Sequence, residues 1–257
     1  MINLPRARLF GCVLHLYITT MFEHPIHPKA LSPAQERRLV DHLDERFLEL
    51  TRGFKKRSAE HFVDDTPLTI YSSEPNSSFS TLSNYLESAS KILVLILQIP
   101  PVDPSTSLRT ALLLRLTNDV LNSIAGYAPT TSALADAVSW LDDLDQAWLV
   151  VLQSQMWDAE NGEGVDLLID ADEAAAGVKS TPMNQTETTR LRSLLVSAMA
   201  ELEEWLDGGR GEEEGDDVES RLRRLGLQDK FDELFSGTLD FLGGVGGFVV
   251  EPLSEID

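Results

Sequence analysis

One apolar stripe in the middle of the sequence constrains the fold more than any other feature. Between Ser132 and Trp157, large apolar side chains recur at alternating steps of three and four residues, which places them on one side of a long α-helix. The stripe consists of Leu134, Ala137, Leu141, Leu144, Trp148 and Val151. Asp142, Asp143 and Asp145 fall off the stripe, as expected for an amphipathic helix whose other side faces water. We therefore predict that other helices pack against this one.

Four other stretches show helical spacing, from residues 32, 80, 103 and 184 onward. The first carries a capping box, because the Ser32 hydroxyl and the Gln35 amide can satisfy each other's backbone N–H groups, and Asn184 with Glu187 gives the last stretch a similar start. The second ends in the apolar run Ile92–Leu97, which also suits a buried strand; we favour a helix that Pro100 stops. Asp103 and Pro104 are expected to cap the third helix.

These patterns predict an all-α protein, an irregular helical bundle of about five main helices with acidic loops and short C-terminal helices. We expect a disordered or targeting-like segment at residues 1–30, a single helical domain at 31–250 and a tail at 251–257. The apolar, glycine-rich stretch Leu239–Val250 should lie extended against the core. Mobile linkers are expected where Pro, Gly, Ser and acidic residues replace the apolar stripes, at 58–79, 158–183 and 207–217.

The first twenty residues permit three interpretations. Arg6 and Arg8 precede an apolar run, and no acidic residue occurs before Glu23. A signal peptide has such charges but also needs a cleavage site of small residues, and a transit peptide is usually richer in Arg and Ser. The third interpretation is that translation begins at Met21, because the helical patterns start only after it.

The charge balance is strongly acidic. The chain has 21 Lys and Arg against 42 Asp and Glu, a formal net charge of −21. Residues 1–57 carry a net charge of +4, and twelve acidic residues but no Lys or Arg lie between Arg115 and Lys179. So negative a surface repels phosphate, which disfavours direct nucleic-acid binding, and favours partners with basic segments. The commonest explanation of an acidic surface, however, is solubility.

Motifs for metal, cofactor or catalysis are missing from the sequence. His24 and His27 are separated by Pro25 and have no third ligand nearby, so a zinc site is not indicated. The acidic loop that starts at Asp158 lacks the glycine and glutamate positions of a calcium-binding loop. The C-terminal glycines are not followed by the residues of a phosphate loop. We therefore expect no enzyme activity and no cofactor. The single cysteine, Cys12, indicates a reducing compartment.

The function we expect is a non-catalytic intracellular adaptor or complex subunit that binds a protein partner through an acidic helical surface. The candidate residues are the acidic Asp142, Asp143 and Asp145 and the basic Arg52, Lys55, Lys56 and Arg57. A solvated helix face and a dipole-stabilised helix end are the simpler explanations of these two groups. The expected location is cytoplasmic or nuclear, and no apolar run has the length of a transmembrane helix.

Two alternative functions remain open. An organelle-targeted factor, mitochondrial or membrane-associated, would use residues 1–20 for its localisation. A small-molecule-binding or enzymatic bundle would have a pocket around Trp140, Trp148 and Trp205.

Overall fold

Helices make up most of the structure, a computed structural model that describes residues 29–57, 79–208 and 218–245. The prediction of an all-α protein is confirmed. In chain order the elements are α1 (Pro33–Arg57), α2 (Leu82–Leu97), α3 (Ser105–Ile124), α4 (Thr131–Leu152), β1 (Met156–Asp158), β2 (Glu163–Val165), α5 (Ala171–Ala175), α6 (Gln185–Gly208), α7 (Val218–Arg224), α8 (Gln228–Asp232) and α9 (Ser236–Val245). The expectations for residues 1–28, 58–78, 209–217 and 246–257 lie outside the described residues.

The predicted capping boxes begin two of the long helices. At the start of α1, the Ser32 N–H donates to Gln35 Oε1 over 2.9 Å, and the Gln35 N–H donates back to Ser32 Oγ over 3.4 Å. At the start of α6, Asn184 and Glu187 form the same reciprocal pair over 3.2 and 3.0 Å. Each box satisfies N–H groups that the first helical turn leaves without a partner.

The apolar run Ile92–Leu97 is helical, as predicted. Thr81 caps the start of α2 by accepting from the Asn84 N–H, and the helix continues to Leu97. Apolar side chains that cover most sides of its second half are buried. This explains the lack of polar positions in the run, because α2 packs against α1, α3 and α4.

Of the two residues predicted to cap α3, Asp103 does not do so, and the prediction is wrong for that residue. Pro104 occupies the capping position and makes no side-chain cap bond. The Asp103 carboxylate instead accepts from the Thr181 hydroxyl and backbone N–H, and the Asp103 N–H donates to Lys179 O over 2.8 Å. Hydrogen bonding from the Thr181 hydroxyl is the main cause that lowers the pKa of Asp103. Asp103 therefore ties the segment before α6 to the start of α3.

The central helix α4 lies in the core, as the apolar stripe predicts. It packs against α2, α3 and α9, and all six residues of the stripe are buried. The Trp148 ring is fully enclosed, and its Nε1–H donates to Thr117 Oγ1 on α3 over 3.0 Å. A buried indole needs such an acceptor for its N–H.

The central helix ends at Leu152, five residues before the predicted end at Trp157. Ser154 follows with a positive φ of 55°, and the chain then enters the antiparallel hairpin β1–β2, in which Trp157 lies opposite Gly164. Strand β2 and helix α5 lie in the region 158–183 predicted to be an acidic linker, and β1 reaches that region only with Asp158. The mobility of that linker stays a prediction.

The C-terminal segment is helical up to Val245, so the prediction of an extended chain is wrong there. Leu234, Phe235 and Leu242 are buried, and α9 packs against α4 and α6. The glycines suggested an extended chain, but tertiary packing overrides their low helix propensity.

Candidate functional site

The predicted acidic face of α4 contains three different environments. Asp142 is exposed, Asp143 is half-buried, and Asp145 is only 6% exposed. The prediction that all three side chains face water is therefore wrong for Asp145. The reason is tertiary: α8 and α9 pack beside this part of α4.

The Asp145 carboxylate caps the first turn of α9 from another helix. Its Oδ1 accepts from the Thr238 N–H over 2.9 Å, and the Thr238 hydroxyl donates to the Asp145 carbonyl oxygen over 3.3 Å. A Cβ atom at Gly237 would lie only 2.9 Å from Asp145 Oδ2. An anionic side chain at a helix N-terminus satisfies free N–H groups and suits the helix dipole. Asp145 is thus a structural residue at the base of the site.

A cleft of about 280 Å³ opens beside Asp145, between α4 and the α8–α9 segment. Asp142 and Gln146 line it from α4, and Lys230 and Glu233 line it from the other side. Leu234, Phe235, Ser236 and Gly237 complete the lining. Asp142, Lys230 and Glu233 are exposed, so polar and charged side chains surround the opening while apolar side chains form part of the wall.

Asp143 lies next to the cleft residue Asp142 and has an altered acidity. Its pKa is raised to about 6, mainly by burial and additionally by the neighbouring carboxylate of Asp142, while the positive charge of Lys230 opposes both effects. A carboxyl group with this pKa changes its charge at mildly acidic pH. The charge beside the cleft therefore depends on pH and on cations near Asp142.

The basic cluster, Arg52, Lys55, Lys56 and Arg57, is at the C-terminal end of α1. Arg57 is used within the protein: its Nε and Nη2 donate to Gly126 O over 3.1 and 2.8 Å, and its guanidinium lies 3.5 Å from the centre of the Phe54 ring. The other three side chains are exposed. Among the described side chains, no ion pair joins the basic cluster to the three aspartates of α4. The structure therefore does not bring the two predicted groups together.

The three tryptophans of the alternative small-molecule site belong to the core. Trp140 Nε1–H donates to Ser90 Oγ over 3.0 Å, and Trp205 Nε1–H donates to Tyr127 O over 2.6 Å. With the Trp148 bond to Thr117, each of these indole N–H groups has a partner, and the three rings are buried. None of them lines the cleft.

Arg109 is a buried charged residue that the sequence analysis missed. It is 1% exposed, and its Nη1 and Nη2 donate to Gln155 O over 2.7 Å and to Leu97 O over 3.0 Å. Burial lowers its pKa to about 10. Both carbonyl groups belong to C-terminal ends of helices or to the turn after one, where partial negative charge collects. The uninterrupted Leu112–Leu114 run indicates a helix buried on most sides, and this was the available signal for Arg109.

Comparison with protein-family models finds no matching family, and searches of curated proteins and of solved structures find no significantly similar protein. In the part of the chain that the structure describes, no helix combines the length and apolar character needed to cross a membrane. The same residues contain no group of three or more His, Cys, Asp or Glu side chains arranged to hold a metal ion.

Proposed function

We propose that the protein is a non-catalytic adaptor or complex subunit that binds a basic segment of a protein partner at the cleft beside α4. The observation that supports this proposal best is that Asp142 of α4 and Glu233 of the α8–α9 segment line the same cleft. Two carboxylates that face a shared space attract a Lys or Arg side chain more strongly than isolated surface acids do.

The surroundings of the cleft favour a cationic ligand. Asp145 forms its base and holds the first turn of α9 in place, so the wall is built before a ligand arrives, which reduces the entropy cost of binding. Burial and Asp142 both raise the pKa of Asp143, which means that they disfavour its charged form. A nearby cation would stabilise that charged form. Lys230 also lines the cleft, and a basic ligand would have to displace or tolerate it.

A Lys-rich peptide tests the cleft directly. The probe is a fluorescent decapeptide of alternating lysine and alanine, titrated with the full chain at low and at physiological salt. The Asp142→Asn/Glu233→Gln double variant should raise the Kd about fivefold, since two rim carboxylates are lost. Lys230→Gln should lower the Kd, because it removes a competing cation.

The matched control is Glu203→Gln/Glu204→Gln on α6, where both side chains are exposed. It removes the same amount of negative charge without changing the cleft. The proposal predicts little change in Kd for this control. An equal loss of affinity in both double variants would mean that the peptide binds the general negative field of the protein, and this result would contradict a specific site.

The size of the protein in cell extracts tests the adaptor role. A complex subunit should elute from a sizing column well above the mass of the 28.5 kDa chain. Elution of all the endogenous protein as a compact monomer, at extract concentrations and physiological salt, would contradict the proposal. The column result and the peptide result fail independently, because the first concerns assembly and the second concerns the cleft.

A further inference from the structure

Leu168 is the most exposed large apolar side chain in the described part of the chain. It is 82% exposed, against 54% for Val196 and 45% for Val165. Exposed single leucines are common, so exposure alone indicates nothing. Here, however, the neighbouring Val165 is also exposed, and the two lie in a short segment between β2 and α5.

Local structure holds this segment at both ends. On one side, Val165 pairs with Met156 in the hairpin, and the Gln155 side-chain amide donates to Asp166 Oδ1 over 2.9 Å. On the other side, Asp170 caps α5 through a reciprocal capping box with Glu173, over 2.7 and 3.1 Å. The segment is therefore presented in a defined conformation.

The side chains within the segment alternate in exposure. Leu167 and Ile169 are half-buried, whereas Leu168 between them points into solvent. Leu167 and Ile169 are partly covered, so Leu168 is the one side chain of the three that projects from the segment. A projecting apolar side chain on an anchored backbone loses little conformational entropy when it enters a pocket.

The charged side chains near Leu168 in the sequence are all negative. Asp166, Asp170 and Asp172 are exposed beside it, and the sequence has no Lys or Arg between Arg115 and Lys179. A pocket that accepts Leu168 must therefore tolerate or attract several carboxylates at its edge. Protein interfaces pair surfaces of opposite electrostatic potential in this way.

We propose that residues 165–170 are a docking segment, in which Leu168 enters an apolar pocket of a partner protein whose rim carries Lys or Arg side chains. This contact goes beyond the cleft beside α4, because it uses a different surface and requires an apolar pocket rather than a basic peptide. We propose another protein rather than a second copy of this chain, because the formal net charge of −21 makes two copies repel each other overall.

Site-specific photocrosslinking tests the proposal in the full-length chain. p-Benzoylphenylalanine replaces Leu168 in one version and Val196 in a control version, each expressed in the native cells. The proposal predicts an adduct from position 168 and none with the same protein from position 196. The crosslinked peptide should lie beside an apolar pocket with at least two Lys or Arg residues on its rim.

Binding by the purified partner gives the second measurement. Leu168→Ser should raise the Kd about tenfold, the effect of removing one buried leucine side chain, and added salt should weaken binding further. Val196→Ser should leave the Kd unchanged. The Asp142→Asn/Glu233→Gln variant should still form the adduct, which separates this contact from the cleft.

Several outcomes would overturn the docking proposal. These are the absence of an adduct at position 168, equal adducts at positions 168 and 196, an adduct whose contact peptide lacks basic residues, and an adduct with this chain itself. An unchanged Kd for Leu168→Ser would also overturn it.

Discussion

Asp142 and Asp145 are one turn apart on α4, and a sequence pattern treats them alike. The structure gives them opposite roles, because Asp145 accepts from the Thr238 N–H within the protein whereas Asp142 faces the cleft. The difference arises from α9, which follows Asp145 by about ninety residues in the sequence. Spacing along one helix contains no information about such a distant partner.

Removing the Asp145 carboxylate should therefore destabilise the protein. Asp145→Ala should lower the free energy of unfolding by about 2 kcal/mol, because a buried N–H loses its acceptor and a helix loses its cap. Asp142→Ala should change it by less than about 0.5 kcal/mol, as is usual for an exposed residue. Urea unfolding of both variants measures the difference. Equal values would contradict the capping role.

Arg109 and Arg115 provide a second matched pair, on α3. Arg109→Ala should lower the free energy of unfolding by about 3 kcal/mol, because the buried Leu97 O and the partly buried Gln155 O would lose their donors. Arg115 is exposed and pairs with Asp44, so Arg115→Ala should cost less than about 1 kcal/mol. Thermal and urea unfolding compare the two variants. A smaller loss for Arg109→Ala than for Arg115→Ala would refute this account of the buried guanidinium.

Asp143 gives the protein a pH-dependent stability. Because its folded-state pKa is raised from 3.8 to about 6, the folded state binds this proton more tightly than the unfolded state, and stability falls as pH rises through this range. Asp143→Asn should raise the free energy of unfolding at pH 7 by at most about 3 kcal/mol, the equivalent of a shift of about two pKa units. The gain should shrink toward pH 4, where the wild-type carboxyl group is neutral. A gain that does not vary with pH in urea unfolding would argue against this cause.

At the scale of the helices, alanine substitutions at two glycines distinguish the effect of packing on stability from the effect of helix propensity. A Cβ atom at Gly53 in α1 would overlap the Phe79 ring, whereas one at Gly243 in α9 would meet nothing within 4 Å. Gly243→Ala should raise the free energy of unfolding by about 0.5–1 kcal/mol through helix propensity. Gly53→Ala should lower it by about 1–2 kcal/mol through overpacking. Stabilisation by both substitutions would show that α1 does not pack as described.

The long helices could be predicted from the sequence because each carries its own signals. Apolar spacing and capping boxes are local, and they marked α1 and α6 correctly at Ser32 and Asn184. The errors occurred where a distant contact decides the structure. The Asp103 carboxylate accepts a hydrogen bond from Thr181 instead of capping α3. Helix α9 is helical because it packs against α4 and α6.

At the scale of the whole molecule, the candidate site was only partly predictable. The sequence identified the acidic residues of α4, but the opposite wall of the cleft comes from Lys230 and Glu233, which lie far along the chain. The exposure of Leu168 could not be predicted from the sequence either, because Leu168 and its apolar neighbours resemble core residues there. Exposure is a property of the assembled fold, so it requires the structure.

Helix α4 forms the middle of one core, to which the other long helices and α9 contribute. Amide hydrogen exchange, followed residue by residue in the native protein, tests this claim most directly. The account predicts that the amides of Leu141, Leu144 and Trp148 exchange only through global unfolding, and are among the slowest in the chain. Exchange of these amides within minutes, while α6 remains protected, would contradict it.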